Sequence, residues 1–301
     1  MREDFEGGTA ADGGAAPRGP ALDLTEGNIT GKLLRFAFPL MVGNLLQQLY
    51  NVADTLIVGR FLGADALAAV GSAYALMVFL TSILIGLCMG SSAFFAMQYG
   101  ARNMERLKKG MFLSFVLIGT VTVILTAAVY TGLDEIICLL QIPPSVTSMM
   151  RDYLSCIFLG IAATFLYNYF ANLLRAAGNS VVPLVFLAAS AILNIVLDLL
   201  FVLEFAWGVR GAAAATVLAQ YISGVGIALY CWFRFAALRI GRRHMRWDGH
   251  ILKEIAGLYF LTCAQQSIMN FGILMVQGLV NSFGTAVMAA FAAAVKIDSF
   301  A

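Results

Sequence analysis

Two polar residues interrupt an otherwise apolar stretch near the middle of the chain. Residues 183–203 read PLVFLAASAILNIVLDLLFVL, and roughly 20 apolar residues are enough to cross a bilayer as one helix. Asn194 and Asp198 lie four residues apart within it, so both project from one helix face, which Ser190 extends by a turn. A carboxylate in mid-membrane costs about 2.5–3.5 kcal/mol, and such residues usually face an ion or a water-filled cavity. Asp198 is therefore predicted to be functional; the alternative is a neutral Asp that is hydrogen-bonded between helices.

A second acid lies on a polar stripe of the first predicted helix, about residues 33–58. The stripe has spacings of three and four, which place its members on one face: Asn44, Gln47, Gln48, Asn51, Asp54 and Thr55. Pro39 lies inside this helix and should kink it. Away from helix ends, Asp54 and Asp198 are the acids within predicted helices 1 to 7. Two carboxylates in one low-dielectric cavity are costly to charge together, so one should hold a proton or share a cation. Their oxygens also suit a hard cation such as Na⁺.

Later helices carry polar stripes without acids. One face of predicted helix 4 (about 147–173) holds Tyr153, Gly160, Thr164, Asn168 and Asn172; helix 6 (about 211–233) has Thr216, Gln220 and Ser223; helix 7 (about 254–281) has Gln266, Asn270, Gln277 and Asn281. Helix packing explains many such residues in membrane helices, so packing and a cavity stay open as alternatives. The residues predicted to line or gate a cavity are Pro39, Asn44, Gln47, Asn51, Tyr153, Asn168 and Asn172.

The composition is that of a membrane protein. Hydrophobic residues make up 60% of the chain, charged residues 12%, and the mean hydropathy is +0.85, whereas soluble domains have about 45–50% apolar and about 25% charged residues. The five cysteines are scattered through apolar runs without paired spacing, so they are interpreted as small apolar residues and not as disulfides or metal ligands. No GxSG, GxGD or HExxH motif is found, so the sequence carries no signature of a hydrolase.

The predicted fold class is an all-α polytopic membrane protein, with a six-helix N-terminal lobe and the first two helices of a second, repeat-related lobe. Residues 1–31 are predicted to be a disordered cytoplasmic tail, 32–233 the N-terminal transmembrane lobe, 234–253 a basic cytoplasmic linker, and 254–301 helix 7 with part of helix 8. Helices 2, 3 and 5 are expected at about 67–98, 109–132 and 183–203. Within helix 2, Gly86-x-x-x-Gly90 is a signal for close helix packing.

The distribution of Lys and Arg predicts the orientation. With the N-terminus in the cytoplasm, the outer segments hold only Arg60, Arg151 and Arg210, whereas fifteen Lys and Arg residues fall on the inner side and Lys296 lies in predicted helix 8. This asymmetry follows the positive-inside rule. The Arg-rich linker is interpreted as a cytoplasmic loop that obeys the rule; a lipid head-group site is the alternative, and no nucleic-acid partner is expected.

A short internal repeat points to a transporter. Helix 1 and its exit read IVGRFLGADALAAVGSA, and helix 7 and its exit read LVNSFGTAVMAAFAAA. Six predicted helices separate the copies, so both enter the membrane from the same side. Parallel repeats of this kind are related by an axis along the membrane normal and are a transporter architecture.

Several segments resemble the multidrug and toxic compound extrusion (MATE) family: PLMVGNLLQQLYNVADTLIVGRFLGADALAAVG, LLRAAGNSVVPL, LNIVLDLLFV and WGVRGAAAATVLAQ. The resemblance covers about residues 25–301 in the family's order. It implies two six-helix lobes that form a V, acting as a monomer in a bacterial cytoplasmic membrane. It further implies export of organic cations, drugs and other amphipathic compounds in exchange for Na⁺ or H⁺, with no other cofactor.

The resemblance also assigns a cation site. It places the site on Asp54, Asn194, Asp198 and Thr216, with Tyr153 nearby. Some branches add an acid in helix 7; this chain has none there, which favours coupling in the N-terminal lobe. The second lobe of the family is almost entirely missing, so we expect either a fragment or a chain that does not transport alone.

Two alternative functions are weighed against export. A lipid-linked oligosaccharide flippase of the same superfamily would need a cationic cavity, and the sequence predicts no buried Arg or Lys in helices 1 to 6. An intramembrane aspartyl protease would use two aspartates, a count that Asp54 and Asp198 match, but its glycine-containing motif is absent.

Overall fold

The computed structural model describes residues 29–235 and 239–298, and all regular elements in these ranges are helical. Ten α-helices follow in chain order: α1 (Ile29–Phe61), α2 (Ala64–Gly100), α3 (Met104–Thr131), α4 (Leu133–Leu139), α5 (Pro144–Ile157), α6 (Gly160–Ala176), α7 (Val181–Leu199), α8 (Gly208–Arg234), α9 (Gly249–Asn281) and α10 (Thr285–Asp298). A π-helical turn, Leu200–Glu204, continues α7, and a 3₁₀ turn, Arg242–His244, precedes α9.

The apolar helices confirm a polytopic membrane fold. Within the described residues, α2, α3, α7 with its π turn, and α8 are long and apolar enough to cross a membrane, and α5 with α6 forms a fifth, bent span. Helices α1 and α9 are 33 residues long, but their polar stripes lower their hydropathy. Such stripes belong against protein or a cavity and not against lipid.

Most predicted helix ends lie within a few residues of the observed ones, with two differences at the N-terminus and in α4. Helix α1 begins at Ile29, so the end of the predicted tail is helical, while residues 1–28 lie outside the described residues. The short helix α4 was not predicted. Residues 236–238 of the predicted linker also lie outside the described ranges.

Predicted helix 4 is two helices. The chain bends by 43° between α5 and α6. At the bend, the amide of Leu159 donates to Cys156 and that of Ile161 to Phe158, which are the shorter bonds of a tightened turn. A Cβ on Gly160 would lie 2.9 Å from Gln220 Oε1. The glycine therefore lets the bend pass close against α8, and Tyr153 and Thr164 end up on separate helices.

Helix α2 is the centre of the packing. It contacts α9 most extensively, and it also packs on α10, α6, α3 and α5. Two glycines bring the backbones of α2 and α9 together: a Cβ on Gly86 would lie 2.7 Å from Cys263 Cα, and one on Gly90 would lie 2.8 Å from Tyr259 Cδ1. The predicted close-packing role of Gly86-x-x-x-Gly90 is confirmed.

Hydrogen bonds fix the register of this contact. Thr262 Oγ1 donates to the Gly86 carbonyl at 2.7 Å, and the hydroxyls of Ser91 and Tyr259 lie 2.6 Å apart. Further along, Ser72 Oγ donates to Asn281 Oδ1 at 2.8 Å, and Asn281 Nδ2 donates to the Leu140 carbonyl at 2.8 Å. These bonds attach the start of the second repeat to the first lobe.

We predict that Gly86→Ala destabilises the protein while Gly272→Ala does not. The added methyl at position 86 would meet the backbone of α9, and overpacking of this kind costs about 1–3 kcal/mol. At Gly272, on α9, a Cβ would meet nothing within 4 Å, so Ala should be neutral or stabilise by up to about 1 kcal/mol. Thermal unfolding of the purified variants in detergent measures both; equal stability of the two would contradict the packing described here.

Candidate functional site

A cavity of about 490 Å³ lies between the first and second repeats. Its volume falls within the range of about 300–1,000 Å³ that is typical of small-molecule sites. Helices α1, α2, α5, α6, α7, α8, α9 and α10 all contribute to its wall. The wall includes the following residues that were predicted to bind a cation or to line or gate a cavity: Pro39, Asn44, Gln47, Asn51, Asp54, Tyr153, Asn168, Asn194 and Thr216.

Helix α1 supplies the longest polar stripe of the wall. It runs over about three turns, from Asn44 to Asp54 and Thr55. Several of its side chains bond within the helix: Asn51 Nδ2 donates to Gln48 Oε1 at 3.3 Å, and Thr55 Oγ1 donates to the Asn51 carbonyl at 2.8 Å. Among the described elements, α1 packs mainly on α7 and only lightly on α2 and α8. Its attachment to the first lobe is therefore mainly through α7.

Three buried acceptor oxygens gather on α7. Asn194 is 2% exposed and Asp198 is fully buried. Asn194 Nδ2 donates to Thr216 Oγ1 of α8 at 3.2 Å, but Asn194 Oδ1 and both carboxylate oxygens of Asp198 have no hydrogen-bond partner among the described residues. A buried polar group without a partner costs about 1–3 kcal/mol, and more if it is charged. These oxygens therefore fit a proton or a hard cation.

Asp54 faces the same group from α1. Its side chain is half-buried in the cavity wall and interacts electrostatically with Asp198. The phenols of Tyr50 and Tyr153 interact electrostatically with both carboxylates. The structure thus brings together Asp54, Asn194, Asp198, Thr216 and Tyr153, as the sequence analysis predicted.

Asp198 differs from its partners in one respect. The described wall of the cavity includes Asn194 but not Asp198, which lies one helical turn further along α7 and is covered on all sides. The π turn Leu200–Glu204 follows directly, and such turns often occur at functional sites. Asp54 is therefore the carboxylate exposed to the cavity, and Asp198 is the one enclosed by protein.

Tyr50 was missed by the sequence analysis. It lines the cavity one turn before Asp54 on α1. Its four-residue spacing from Asp54 is the signal that could have revealed it. An aromatic residue in a membrane helix carries little information alone, because Tyr is common both in cores and at interfaces.

The prediction that Asn172 lines the cavity is wrong. Asn172 is 8% exposed and does not belong to the described cavity wall. Its Nδ2 donates to the Asn168 carbonyl at 2.9 Å, and its own carbonyl accepts from Ser92 Oγ at 3.2 Å. One turn beyond Asn168, α6 packs against α2, so the same stripe changes from cavity wall to helix contact.

The sequence analysis predicted no buried Arg or Lys in helices 1 to 6, but the observed helix α6 is longer and brings a half-buried arginine to the cavity. Arg175 lies in the last turn of α6 and lines the cavity. Its Nε is buried without a hydrogen-bond partner among the described residues. The predicted helix ended before this residue, so Arg175 was assigned to a cytoplasmic loop.

The polar residues of α8 and α9 were predicted either to pack between helices or to line a cavity, and both kinds are observed. On α8, Gln220 lines the cavity and accepts from Thr164 Oγ1 at 3.3 Å, while Ser223 bonds the Phe186 carbonyl at 3.1 Å. On α9, Gln266 and Asn270 line the cavity. By contrast, Gln277 and Asn281 pack against α2, with Gln277 Nε2 donating to Ser72 Oγ at 3.1 Å.

Comparison with known proteins agrees with this architecture. Residues 39–200 match the MatE family model. The probable multidrug resistance protein YpnP of Bacillus subtilis is 30% identical over 280 residues, which are 93% of this chain and 62% of YpnP. The chain therefore spans somewhat less than two thirds of the length of this relative.

Two solved structures are similar. One is described as the inward-facing conformation of a multidrug resistance MATE family transporter of the MOP superfamily; it is 25% identical with a TM-score of 0.79, and the match covers 88% of this chain and 61% of that one. The other, from Pyrococcus furiosus, is a MOP superfamily transporter described as having a binding pocket of reverse polarity; it is 26% identical with a TM-score of 0.76, covering 82% and 55%.

These relatives are named as resistance or transport proteins, which favours a transporter over an intramembrane protease. The helical fold, the polar cavity and a family match over more than half of the chain agree with one another. The chain belongs to the MatE family of multi-pass membrane transporters.

Proposed function

We propose that this chain forms the ion-coupling lobe of an antiporter that exports small amphipathic or cationic compounds across a bacterial cytoplasmic membrane. The coupling ion is Na⁺ or H⁺. The observation that carries the proposal is the group of three unpartnered acceptor oxygens on Asn194 and Asp198, with Asp54 facing them across the cavity. Asn194 Oδ1 and the Asp198 carboxylate need a positive charge or a proton that the described residues do not supply.

The donor set suits either ion. A proton would satisfy one oxygen of Asp198 and remove its repulsion with Asp54. Na⁺ would be held by carboxylate oxygens of Asp54 and Asp198, by Asn194 Oδ1 and by Thr216 Oγ1, which are hard oxygen ligands. The hydrogen bond from Asn194 to Thr216 supports this set, because it uses the amide nitrogen of Asn194 and leaves Oδ1 as an acceptor without a partner among the described residues.

Movement of α1 would link the ion to the substrate. Without an ion, repulsion between Asp54 and Asp198 favours a wider separation of α1 from α7. Binding of the ion would draw α1 towards α7 and narrow the cavity. Pro39 has no amide hydrogen to donate, so α1 has a weak point at which it can bend. The light packing of α1 on α2 and α8 keeps the cost of this movement low.

The polar wall suits varied cationic substrates. Asn, Gln and Thr side chains on α1, α6 and α8 offer both donors and acceptors, and Tyr50 and Tyr74 offer aromatic faces. Aromatic faces attract organic cations. The excess of Lys and Arg on one side supports an N-terminus in the cytoplasm. In that orientation Arg175 lies at the inner end of the cavity and the acids at its outer end. We propose that the complete transporter acts as a monomer.

A lipid-linked oligosaccharide flippase is the second candidate, and Arg175 is the observation in its favour. Among the described residues that line the cavity, Arg175 is the one cation and Asp54 is the one acid. With Asp198 behind the wall, the acids outnumber the arginine. A pyrophosphate carrier would need the opposite balance, so export of cationic compounds is the better supported function.

We predict that Asp198→Asn abolishes coupled export. Cells that express this chain as part of the complete transporter should accumulate less of a lipophilic cationic dye than control cells. Collapse of the Na⁺ and H⁺ gradients in separate experiments should identify the ion. The substitution removes the charge that the ion compensates, so the variant should lose export at equal protein level. Glu105→Gln, at an exposed carboxylate on α3, is the control and should export normally. Wild-type dye export by Asp198→Asn would rule out the assigned ion site.

We further predict that Asp54 and Asp198 act as one unit. In a double-mutant cycle of Asp54→Asn and Asp198→Asn, the effects on ion-dependent thermal stabilisation should deviate from additivity by about 0.5–3 kcal/mol, as for residues in direct contact. The wild-type protein should be stabilised by about 2.7 kcal/mol when the ion is a hundredfold above its Kd. Glu105→Gln combined with Asp198→Asn should be additive within about 0.5 kcal/mol. If the two aspartate substitutions add in the same way, the carboxylates do not share an ion.

A further inference from the structure

We propose that Arg175 and the turn between α6 and α7 form a subsite for the anionic group of an amphipathic substrate, a carboxylate or a phosphate. This inference rests on the proposed drug-binding function of the cavity and deepens it. Zwitterionic compounds are then substrates in addition to simple cations. The subsite lies at the opposite end of the cavity from Asp54 and Asp198.

The surroundings of Arg175 differ from those of the paired arginines. Arg106, Arg151 and Arg210 each pair with a carboxylate at the surface. Arg175 lines the cavity and forms no ion pair or hydrogen bond with a described residue, and its Nε is fully buried. A guanidinium that is partly removed from water without a partner is costly. An anion in the cavity would supply the missing partner.

The turn after Arg175 adds a second unpartnered donor. Gly178 has a φ of +82° and its amide donates to the Arg175 carbonyl at 3.0 Å, while the Asn179 amide donates to the Leu174 carbonyl at 2.8 Å. This helix end folds Asn179 back, so that it is only 2% exposed. Asn179 Oδ1 accepts from the Val182 amide at 3.1 Å, but Asn179 Nδ2 has no partner among the described residues.

The two ends of the cavity therefore carry opposite kinds of unpartnered group. At one end Asn194 lines the wall with an unpartnered acceptor, and the enclosed carboxylate of Asp198 lies one turn beyond it; at the other end Arg175 lines the wall with an unpartnered Nε donor, and the buried amide of Asn179 lies beside the wall residue Ser180. Ser180 and Asn194 both line the cavity and are 14 residues apart on or beside α7, which corresponds to about 21 Å along the helix. The two ends are too far apart for the ion and the anionic group to compete for one place.

The chemistry of Arg175 favours a planar or tetrahedral oxyanion. A guanidinium offers a fork of N–H donors that matches carboxylate and phosphate oxygens. The polar stripes of α1 and α6 continue from this end with Asn44, Gln47 and Asn168. These neutral side chains can accommodate the rest of an amphipathic molecule, and the acids beyond them favour an orientation with its cationic group pointing towards Asp54.

The alternative is that Arg175 serves only as an inner-side charge that sets membrane orientation. A topogenic charge needs no ligand, and Lys would replace it fully. A bidentate anion contact would not be fully replaced by Lys, because an ammonium is a point charge without the planar fork. Ligand binding therefore separates the two roles.

The test uses the purified chain in detergent and two fluorescent rhodamine dyes, one with a free benzoate and the other its methyl ester. Arg175→Gln should weaken binding of the free acid about tenfold or more, as expected for a hydrogen bond to a charged group, and change ester binding less than about twofold. Arg175→Lys should restore the free acid only in part. Arg234→Gln, at an exposed arginine in the last turn of α8, is the control and should leave both dyes unaffected.

Asn179→Asp provides an independent variant. It keeps the acceptor oxygen that caps α7 but replaces the Nδ2 donor with a second carboxylate oxygen beside the subsite. The free acid should bind about tenfold more weakly through like-charge repulsion, while ester binding remains. If Arg175→Gln does not fold, Asn179→Asp tests the proposed subsite in its place.

The outcomes separate the subsite from the function on which it rests. If ester binding is intact and the free acid is insensitive to Arg175→Gln and Asn179→Asp, the subsite is overturned and the cation-binding cavity stands. If the wild-type chain binds neither dye, both the proposed drug-binding function and the proposed subsite are contradicted. Phosphatidylglycerol added to the micelles identifies the source of the anion: displacement of the free acid from the wild type assigns the subsite to a lipid head group, and retention assigns it to soluble zwitterions.

Discussion

A buried carboxylate needs either a proton or a counterion, and this need shapes the first lobe. Asp198 is fully covered by protein, and neither of its oxygens has a partner among the described residues. In water such an acid would be stable, but in an apolar helix bundle the free energy of its charge depends on what else enters the site. The surrounding structure addresses that need only in part: Thr216 takes the amide of Asn194, and Asp54 adds a second negative charge.

The oxygens of Asn194 and Asp198 lack partners among the described residues, so the helices that carry them must be held in place by the rest of the fold. A rigid scaffold must hold α7 and α8 so that the oxygens stay in place. Helix α7 packs on α8, α8 packs on α6, and α6 packs in turn on α2 and connects them to the closely packed part of the lobe. Glycines at the contact with α9 allow the backbones to approach, and buried hydrogen bonds from Tyr259, Thr262 and Asn281 lock the register. Helix α1 is the exception, because it packs mainly on α7. The lobe thus combines a closely packed group of helices with one long helix that is attached mainly through α7.

The differences from the sequence analysis share a physical origin. Asn168 and Asn172 lie on the same stripe, yet one lines the cavity and the other packs against α2. The bend between α5 and α6 lies at Gly160, where α8 passes close to the backbone. Arg175 was assigned to a loop because its neighbours in the sequence are small and polar, and its burial follows from the turn at Gly178. For Asn172 and Gly160, a neighbouring helix that is distant in sequence decides the environment; for Arg175, the end of its own helix and the turn that follows it decide.

The sequence by itself determined the membrane class, the approximate helix limits and the polar residues that the structure brings together around Asp198, because these depend on local hydropathy, helical spacing and the cost of an acid in an apolar segment. It also determined, through its motifs, the family to which the chain belongs. The tertiary structure alone decided which polar residues share a cavity, that Asp54 is accessible from it while Asp198 is enclosed, and that Arg175 faces it from the other end. Helical periodicity assigns a residue to a face, but only the packing of other helices determines whether that face meets protein, lipid or a cavity.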